Sequence, residues 1–192
     1  NTSGADNVAL GDEAGHDLTT GSRNTIVGSK AGDGATTTDD STLIGYNAGG
    51  AAMTGHDNVA VGSNALGANT SGVNNVGIGA SALSLNTTGG LNTAVGDSAL
   101  KALTTGSNNV AVGYHSLEAA TTGFENTAVG RDSLTALTTG AYNVGVGRGA
   151  LAANTTASEN TGVGYASLLN NTTGAKNTSL GKDTLFDNTT GA

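Results

Sequence analysis

The stretch TTGSNNVAVG at residues 104–113 returns as TTGFENTAVG at residues 121–130 and as TTGAYNVGVG at residues 138–147. Each copy lies 17 residues after the one before it. Such a short, fixed period is typical of repeat proteins, in which each unit buries its apolar face against the next unit. The interval is kept without insertion along the chain by the glycines that end the phrase: Gly11, Gly28, Gly45, Gly62, Gly79, Gly96, Gly113, Gly130, Gly147, Gly164 and Gly181.

The whole chain, residues 1–192, is therefore a single repeat array. Residues 1–6 fit the tail of a preceding unit, and without an initiator Met or a signal peptide we expect the sequence to be a segment of a longer chain. Counting each unit from its Asn gives seventeen columns with the pattern N-[TV]-A-V-G-x-x-[AS]-L-x-x-[NLA]-T-T-G-x-x. The eleven units begin at residues 7, 24, 41, 58, 75, 92, 109, 126, 143, 160 and 177.

The composition excludes several classes of protein. The 32 glycines come without proline or cysteine, so the chain is neither a collagen nor a disulfide scaffold. The absence of cysteine is consistent with an extracellular protein. A formal net charge of −8, with only seven scattered Lys and Arg, argues against nucleic acid as a partner, because phosphate binding needs clustered basic residues.

The apolar columns predict strands and a buried core. Two or three glycines in each unit disfavour helices, whereas N-[TV]-A-V alternates with period two and is rich in β-branched residues. The pattern thus predicts a short strand with columns two and four on one face. Column four holds only branched aliphatic residues and column nine holds Leu from the fourth unit onward, so we predict that both are buried. The predicted core is Val61, Ile78, Val95, Val112, Val129, Val146, Val163, Leu66, Leu83, Leu100, Leu117, Leu134, Leu151 and Leu168.

One unit would form one coil: a strand of four or five residues, a Gly corner, a second short extended piece around column eight, and a T-T-G turn. The coils would stack into an all-β, parallel β-solenoid about 50 Å long, at about 4.8 Å per coil. We expect the column-five glycines, including Gly62, Gly79, Gly96, Gly113 and Gly130, to occupy corners that need φ above zero or that leave no room for a Cβ. We expect the column-one asparagines, including Asn58, Asn75, Asn92, Asn109 and Asn126, to stack as an amide ladder.

Two features of the array point beyond a uniform single rod. Each coil offers few apolar side chains, so we expect a second apolar face that contacts other chains. Columns two and three lie on opposite sides of the strand, and the sequence leaves open which of them lines the interior. In the first three units, column nine is Gly15, Gly32 and Gly49 instead of Leu, which predicts a change of cross-section near that end.

The phrases NVAVGSNAL at residues 58–66, NTAVGDSAL at residues 92–100 and TTGSNNVAVG resemble the head repeats of YadA-like trimeric autotransporter adhesins. They are also similar to the N-T-A-V-G-x-x-A-L-x-x-N-T-T-G fibre arrays of phages and bacteria. The resemblance covers all 192 residues, although the YadA-like repeat is typically shorter. It implies a left-handed parallel β-roll that forms a homotrimer on a cell or virion surface, presents or contributes to receptor binding, and reaches a membrane only through regions outside this sequence.

The sequence gives no support for catalysis. His16, His56 and His115 fall in different columns, no cysteine nucleophile exists, and no serine lies in a G-x-S-x-G elbow. We therefore expect no enzyme activity, no cofactor and no metal. The acidic residues Asp33, Asp39 and Asp40 could form a weak Ca²⁺ site, but a solvated loop is the favoured interpretation. The exposed columns would carry any binding site for a host or prey receptor or a glycan, and the candidates are Tyr46, Tyr114, Tyr165 and Phe124.

A rival hypothesis comes from the paired threonines of columns thirteen and fourteen. They form two ranks spaced by one coil, as in Thr104 and Thr105 or Thr121 and Thr122. Regular Thr ranks on a β-solenoid resemble those of ice-binding proteins. Ice-binding solenoids generally use T-x-T, however, which places both side chains on one face, whereas adjacent threonines point to different sides. The alternative function is ice binding by a single chain.

Overall fold

The computed structural model, which describes residues 1–191, is an all-β parallel β-solenoid of about eleven coils of about 17 residues. Eleven strands form one sheet in chain order, and each strand pairs in parallel with the next at the same column, for example Val112 opposite Val129. Within residues 1–191 we find no helix of the length and apolarity needed to cross a membrane. The strands are β1 Val8–Leu10, β2 Thr25–Val27, β3 Thr42–Ile44, β4 Val59–Val61, β5 Val76–Ile78, β6 Thr93–Val95, β7 Val110–Val112, β8 Thr127–Val129, β9 Val144–Val146, β10 Thr161–Val163 and β11 Thr178–Leu180.

Each coil contains one strand of three residues instead of the predicted strand of four or five and a second extended piece. Columns six to eleven form turns in which the backbone still bonds from coil to coil, as when Leu117 N–H donates to Ser133 O at 3.0 Å. These turns contain residues in the left-handed region at columns seven and nine. The prediction of an extended segment around column eight is therefore wrong, because the left-handed residues on either side of it, at columns seven and nine, turn the chain too tightly for a strand.

The interior is lined by columns three, eight, nine and twelve, and columns three and nine decide which way the strand faces. Column three is buried from Ile26 to Ser179, with Ala111 and Ala128 fully inaccessible. The leucines of column nine from Leu66 to Leu168 are also fully buried, as predicted, and they reach the interior with φ between 51° and 54°, whereas Leu185 in the last coil is 50% exposed. That conformation costs a bulky residue about 1–2 kcal/mol, which the burial of a Leu side chain offsets at about 1.5–3 kcal/mol. These leucines are Leu66, Leu83, Leu100, Leu117, Leu134, Leu151 and Leu168.

The prediction that column four is buried is wrong. Because successive strand residues point to opposite faces, the burial of column three turns columns two and four outward. Column-four side chains are half-buried or exposed, with 40% of Ile78 and 37% of Val129 accessible to solvent. The residues concerned are Val61, Ile78, Val95, Val112, Val129, Val146 and Val163.

The second and third units keep the interior filled by exchanging side chains between columns. Ile26 and Leu43 stand in column three, where later units carry Ala, Gly or Ser, and both are fully buried. A Cβ on Gly49 would lie 2.8 Å from Leu43 Cδ2, and a Cβ on Gly32 would lie 3.0 Å from Leu43 Cδ1. The large column-three side chain thus occupies the space that a column-nine Leu takes elsewhere. The change of cross-section predicted for these units is therefore a change in the source of the large core side chain, which comes from column three here and from column nine in later coils.

The column-five glycines meet both conditions expected from the sequence. Their φ values lie between 122° and 137°, a region that side-chain-bearing residues avoid. A Cβ on Gly113 would also lie 2.6 Å from the carbonyl atoms of Gly130 in the next coil. The corner therefore excludes any side chain. The same close approach holds at Gly62, Gly79, Gly96 and Gly130.

The column-one asparagines form the predicted amide ladder inside the rod. Asn109 Nδ2 donates to the carbonyl O of Gly123 across the coil at 2.9 Å, and Asn109 Oδ1 accepts from the backbone N–H of Asn126 in the next coil at 3.1 Å. The amide therefore closes its own coil and bonds to the following one. Asn58, Asn75 and Asn92 make equivalent bonds from their own coils.

Candidate functional site

The outward face of the sheet is an uncharged strip along the whole rod. Columns two to four contain no charged residue in any of the eleven strands. Column two is always Val or Thr, and column four is always Val, Ile or Leu. We call columns two and four together the sheet face. With about 4.8 Å per coil and a width of about 10 Å, it covers about 500 Å².

All formal charges lie elsewhere, in columns six, seven, ten, eleven, sixteen and seventeen. This segregation has a simple cause, because the turns carry the outward side chains of those columns whereas the strands carry the sheet face. A contiguous apolar patch of this size is at the upper end of what soluble monomers expose, and larger patches mark interaction surfaces. The sheet face is accordingly the main candidate binding surface of the molecule.

The paired threonines lie in turns and do not share a flat face. Thr104 Oγ1 donates to the carbonyl O of Thr121 in the next coil at 3.0 Å, and the same bond recurs at Thr121 with Thr138 at 3.2 Å. The column-thirteen hydroxyls are thus used within the rod. Column fourteen is exposed, as at Thr105 and Thr122, and so presents a single rank. The two ranks on which the ice-binding hypothesis rests are therefore split between two directions.

The four aromatic residues predicted as a binding site are exposed but do not converge. Tyr46, Tyr114 and Tyr165 share column six, yet three coils separate Tyr165 from Tyr114 and four separate Tyr114 from Tyr46. Tyr114 stacks on His115 with ring centroids 3.7 Å apart. Phe124 lies at another corner, where its ring meets the edge of Tyr142 with centroids 5.2 Å apart. Of these four residues, Tyr165 borders the concave surface described next.

That concave surface is a groove of about 300 Å³ on the turn side of the last four coils. The small residues Gly149 and Ala152 line the groove together with the larger side chains of Tyr165, Leu169 and Phe186. The guanidinium of Arg148 lies 5.8 Å from the centroid of the Tyr165 ring. We call this surface the Arg148 groove. Sequence reasoning finds Tyr165 but misses Arg148 and Gly149, although every column-six residue from Tyr114 onward is a tyrosine or a basic residue.

The histidines and acidic residues form local pairs. His16 Nδ1 lies 2.9 Å from Asp17, and His115 Nδ1 lies 3.4 Å from Glu118. Asp39 Oδ1 accepts from the backbone N–H of Ser22 at 2.7 Å. Among residues 1–191 the structure brings no three His, Asp or Glu side chains together in a way that could hold a metal ion.

Arg23 and Asp40 make the best-defined ion pair. Arg23 Nε and Nη2 donate to the two carboxylate oxygens of Asp40 at 2.6 and 2.7 Å. This bidentate hydrogen bond lowers the pKa of Asp40 below its ordinary value and raises that of Arg23. The proximity of Glu13 likewise raises the pKa of Lys30. All four groups are exposed, so these pairs orient the surface and contribute little to stability.

No protein-family model, no curated protein and no solved structure matches the chain.

Proposed function

We propose that this chain is a rod segment of an extracellular trimeric fibre, in which three chains, each a left-handed β-solenoid, pack against one another through the sheet face. The fibre stands on a cell or virion surface, holds a binding region away from it and contributes to receptor binding. The chain has no catalytic role in this proposal. The observation that carries it is the uncharged sheet face over all eleven strands.

The position of column four supports an intermolecular role for this face. The interior of the rod is already filled by columns three, eight, nine and twelve, so the column-four aliphatics are not needed to close the core of one chain. Their uniform character therefore calls for another partner surface. Burying them would remove from water the most apolar strip of the rod, at about 25 cal/mol per Å².

The regular spacing of the sheet face favours another copy of the same chain as that partner. A matching surface must offer apolar groups every coil for the full length of the rod, and the chain itself does so. Closed homo-oligomers also satisfy every copy of such a strip, whereas a single rod leaves it exposed. The resemblance to YadA-like head repeats and to fibre arrays supports three copies, an extracellular setting and a receptor-binding role.

Thiol labelling tests the packing of the sheet face. Ile78 and Phe124 are 40% and 41% accessible in the single chain, and the chain contains no cysteine. We expect Ile78→Cys on the sheet face to react with a bulky maleimide far more slowly than the matched variant Phe124→Cys. Equal labelling rates of the two folded variants would show that the sheet face is solvated and would refute the trimer.

Ice binding by a single chain remains the second candidate, on a different surface from the paired threonines. The column-two Thr and Val and the column-four aliphatics form two parallel ranks on a regular sheet. Solvation of this face in the labelling experiment would favour it, and an ice-shaping assay on Thr127→Asp beside the unmodified chain would then test it. Loss of ice shaping in that variant would support ice binding, and the absence of ice shaping by the unmodified chain would reject it.

A further inference from the structure

We propose that the Arg148 groove binds one carboxylated sugar residue, such as a uronic acid at the end of a surface glycan. This inference rests on the proposed function, because it names the chemical class of a receptor that the rod would contact. The groove is lined by residues of columns six, seven and ten, and so it lies outside columns two and four, through which the three chains are proposed to pack.

Arg148 is the cation of the groove. The other two basic residues of column six, Arg131 and Lys182, are each followed by an aspartate that pairs with them: Arg131 Nε lies 3.0 Å from Asp132 Oδ2, and Lys182 Nζ lies 3.6 Å from Asp183 Oδ2. The residue after Arg148 is Gly149, and within residues 1–191 no carboxylate oxygen lies within 4.0 Å of the Arg148 guanidinium nitrogens. The guanidinium thus borders the groove with its donors available. A planar fork of N–H donors fits a carboxylate through two parallel hydrogen bonds.

The rest of the groove suits the ring of a sugar. Tyr165 and Phe186 are 48% and 36% exposed, and Leu169 adds an aliphatic wall between them. Aromatic side chains offer flat apolar area for the C–H face of a pyranose, and the Tyr hydroxyl adds a polar end. The volume of about 300 Å³ is at the lower limit of small-molecule sites, which suits one ring and not a longer chain.

Asp132 gives the groove a direction. Its carboxylate borders the groove one coil before Arg148 and is already engaged with Arg131 through Oδ2 at 3.0 Å. The other carboxylate oxygen of Asp132 would accept hydrogen bonds from sugar hydroxyls, and the negative charge of the carboxylate would repel a second anionic group. A ligand with one carboxylate and several hydroxyls therefore fits better than a ligand that is anionic at both ends.

The groove exists because columns seven and ten both carry small residues in the ninth coil, Gly149 and Ala152. Column seven carries Asn47, Asn64 or Asp132 in other coils, all with φ near 54–57°, whereas Gly149 has φ 69° and no side chain. A Cβ added to Gly149 would lie 3.4 Å from Leu169 Cδ1, which is ordinary contact. The backbone there accepts an Asn, as it does in two other coils, so that Gly149→Asn fills the groove while leaving the coil intact.

The test uses two sugars that differ only at C6: methyl β-D-glucuronide, which has a carboxylate, and methyl β-D-glucoside, which has a hydroxymethyl group. Binding to residues 1–192 is followed by ligand-detected saturation-transfer NMR and titration. We expect the glucuronide to bind at least about tenfold more tightly than the glucoside, because one charge-assisted contact distinguishes them. Equal binding of the two sugars, or no binding of the glucuronide, would overturn the proposal. Acetate that binds as tightly as the glucuronide would also overturn it, since the sugar ring would then contribute nothing.

Three variants locate the site. We expect Arg148→Ser to weaken glucuronide binding at least about tenfold and Gly149→Asn to abolish it, while the charge-matched control Lys101→Ser leaves it unchanged. Ser stands in column six at Ser29 and Ser63, so Arg148→Ser keeps the fold even if Gly149→Asn does not. Unchanged binding by Arg148→Ser would place the sugar elsewhere and refute the site. The labelling of Ile78→Cys reports separately on the trimer, so the failure of one proposal is distinguishable from the failure of the other.

Discussion

The exchange of core side chains between columns three and nine makes a sharp prediction for the pair Leu43 and Gly49. Leu43→Ala alone leaves a cavity in a fully buried position and should lower the free energy of unfolding by about 2–5 kcal/mol. Gly49→Leu alone should cost about 1–3 kcal/mol by overpacking, because its Cβ already lies 2.8 Å from Leu43 Cδ2. Made independently, the two changes would sum to about 3–8 kcal/mol.

The double variant Leu43→Ala/Gly49→Leu should cost much less than that sum. It recreates the arrangement of the next coil, where Ala60 in column three accompanies Leu66 in column nine with φ 51°. Gly49 already has φ 59°, so the backbone at this position is ready for a Leu. The rescue is partial because Gly32 loses its neighbour Leu43. We expect a coupling energy of at least about 2 kcal/mol, at the high end for contacting residues.

Urea unfolding of the four proteins, followed by circular dichroism at one protein concentration, measures this double-mutant cycle. Additivity within about 0.5 kcal/mol would mean that the two side chains do not share a space, and it would refute the account of the core. A double variant no more stable than the worse single variant would refute it as well.

Three further predictions follow from the ladder, the corner and the surface ion pair. Gly113→Ala, which clashes with the next coil at 2.6 Å, should destabilise the rod and reduce hydrogen-exchange protection on both sides of that coil. The control variant is Gly181→Ala, where φ is 122° and a Cβ would meet no atom of a following coil. This variant should affect only the last coil. Similar loss of hydrogen-exchange protection in the two variants would contradict the clash between Gly113→Ala and the next coil. Asn109→Ala should cost about 1–3 kcal/mol for each buried group that it leaves unpaired, against about 0.5 kcal/mol or less for the surface change Asn170→Ala in the same urea assay. In an NMR titration the Asp40 carboxyl should have a pKa below its ordinary value of about 3.9, and Arg23→Ala should raise that pKa. The ion pair stabilises the fold above the ordinary pKa, and this contribution is lost as the pH falls through the lowered pKa of Asp40. An unshifted pKa would exclude the ion pair in solution.

The sequence predicts the solenoid and its ladders because these features depend on the period alone. Identical residues at one interval must stack, so the column-one asparagines and the column-five glycines can be assigned without coordinates. Side-chain size gives the wrong orientation of the strand, however. Val at column four looks more like a core residue than Ala at column three, yet Ala faces inward because Leu from column nine has already filled the interior.

The leucines at column nine explain why that orientation could not be foreseen. A Leu with φ near 52° is unusual, and sequence propensity does not predict it. Only this conformation carries the side chain into the coil and leaves space for a small residue opposite. The Arg148 groove could not be predicted from the sequence for a different reason. It depends on residues that depart from the repeat, above all Gly149 and Phe186, and a consensus pattern for each column does not show such departures.

The mass of the folded protein in solution tests the central claim most directly. Sedimentation equilibrium on residues 1–192, with circular dichroism on the same sample, gives the number of chains in the β-rich species. The account predicts three times the chain mass of 18.4 kDa, with the sheet face buried between copies. A β-rich species at 18.4 kDa would contradict it, because the uncharged sheet face would then be a surface of a single rod in water.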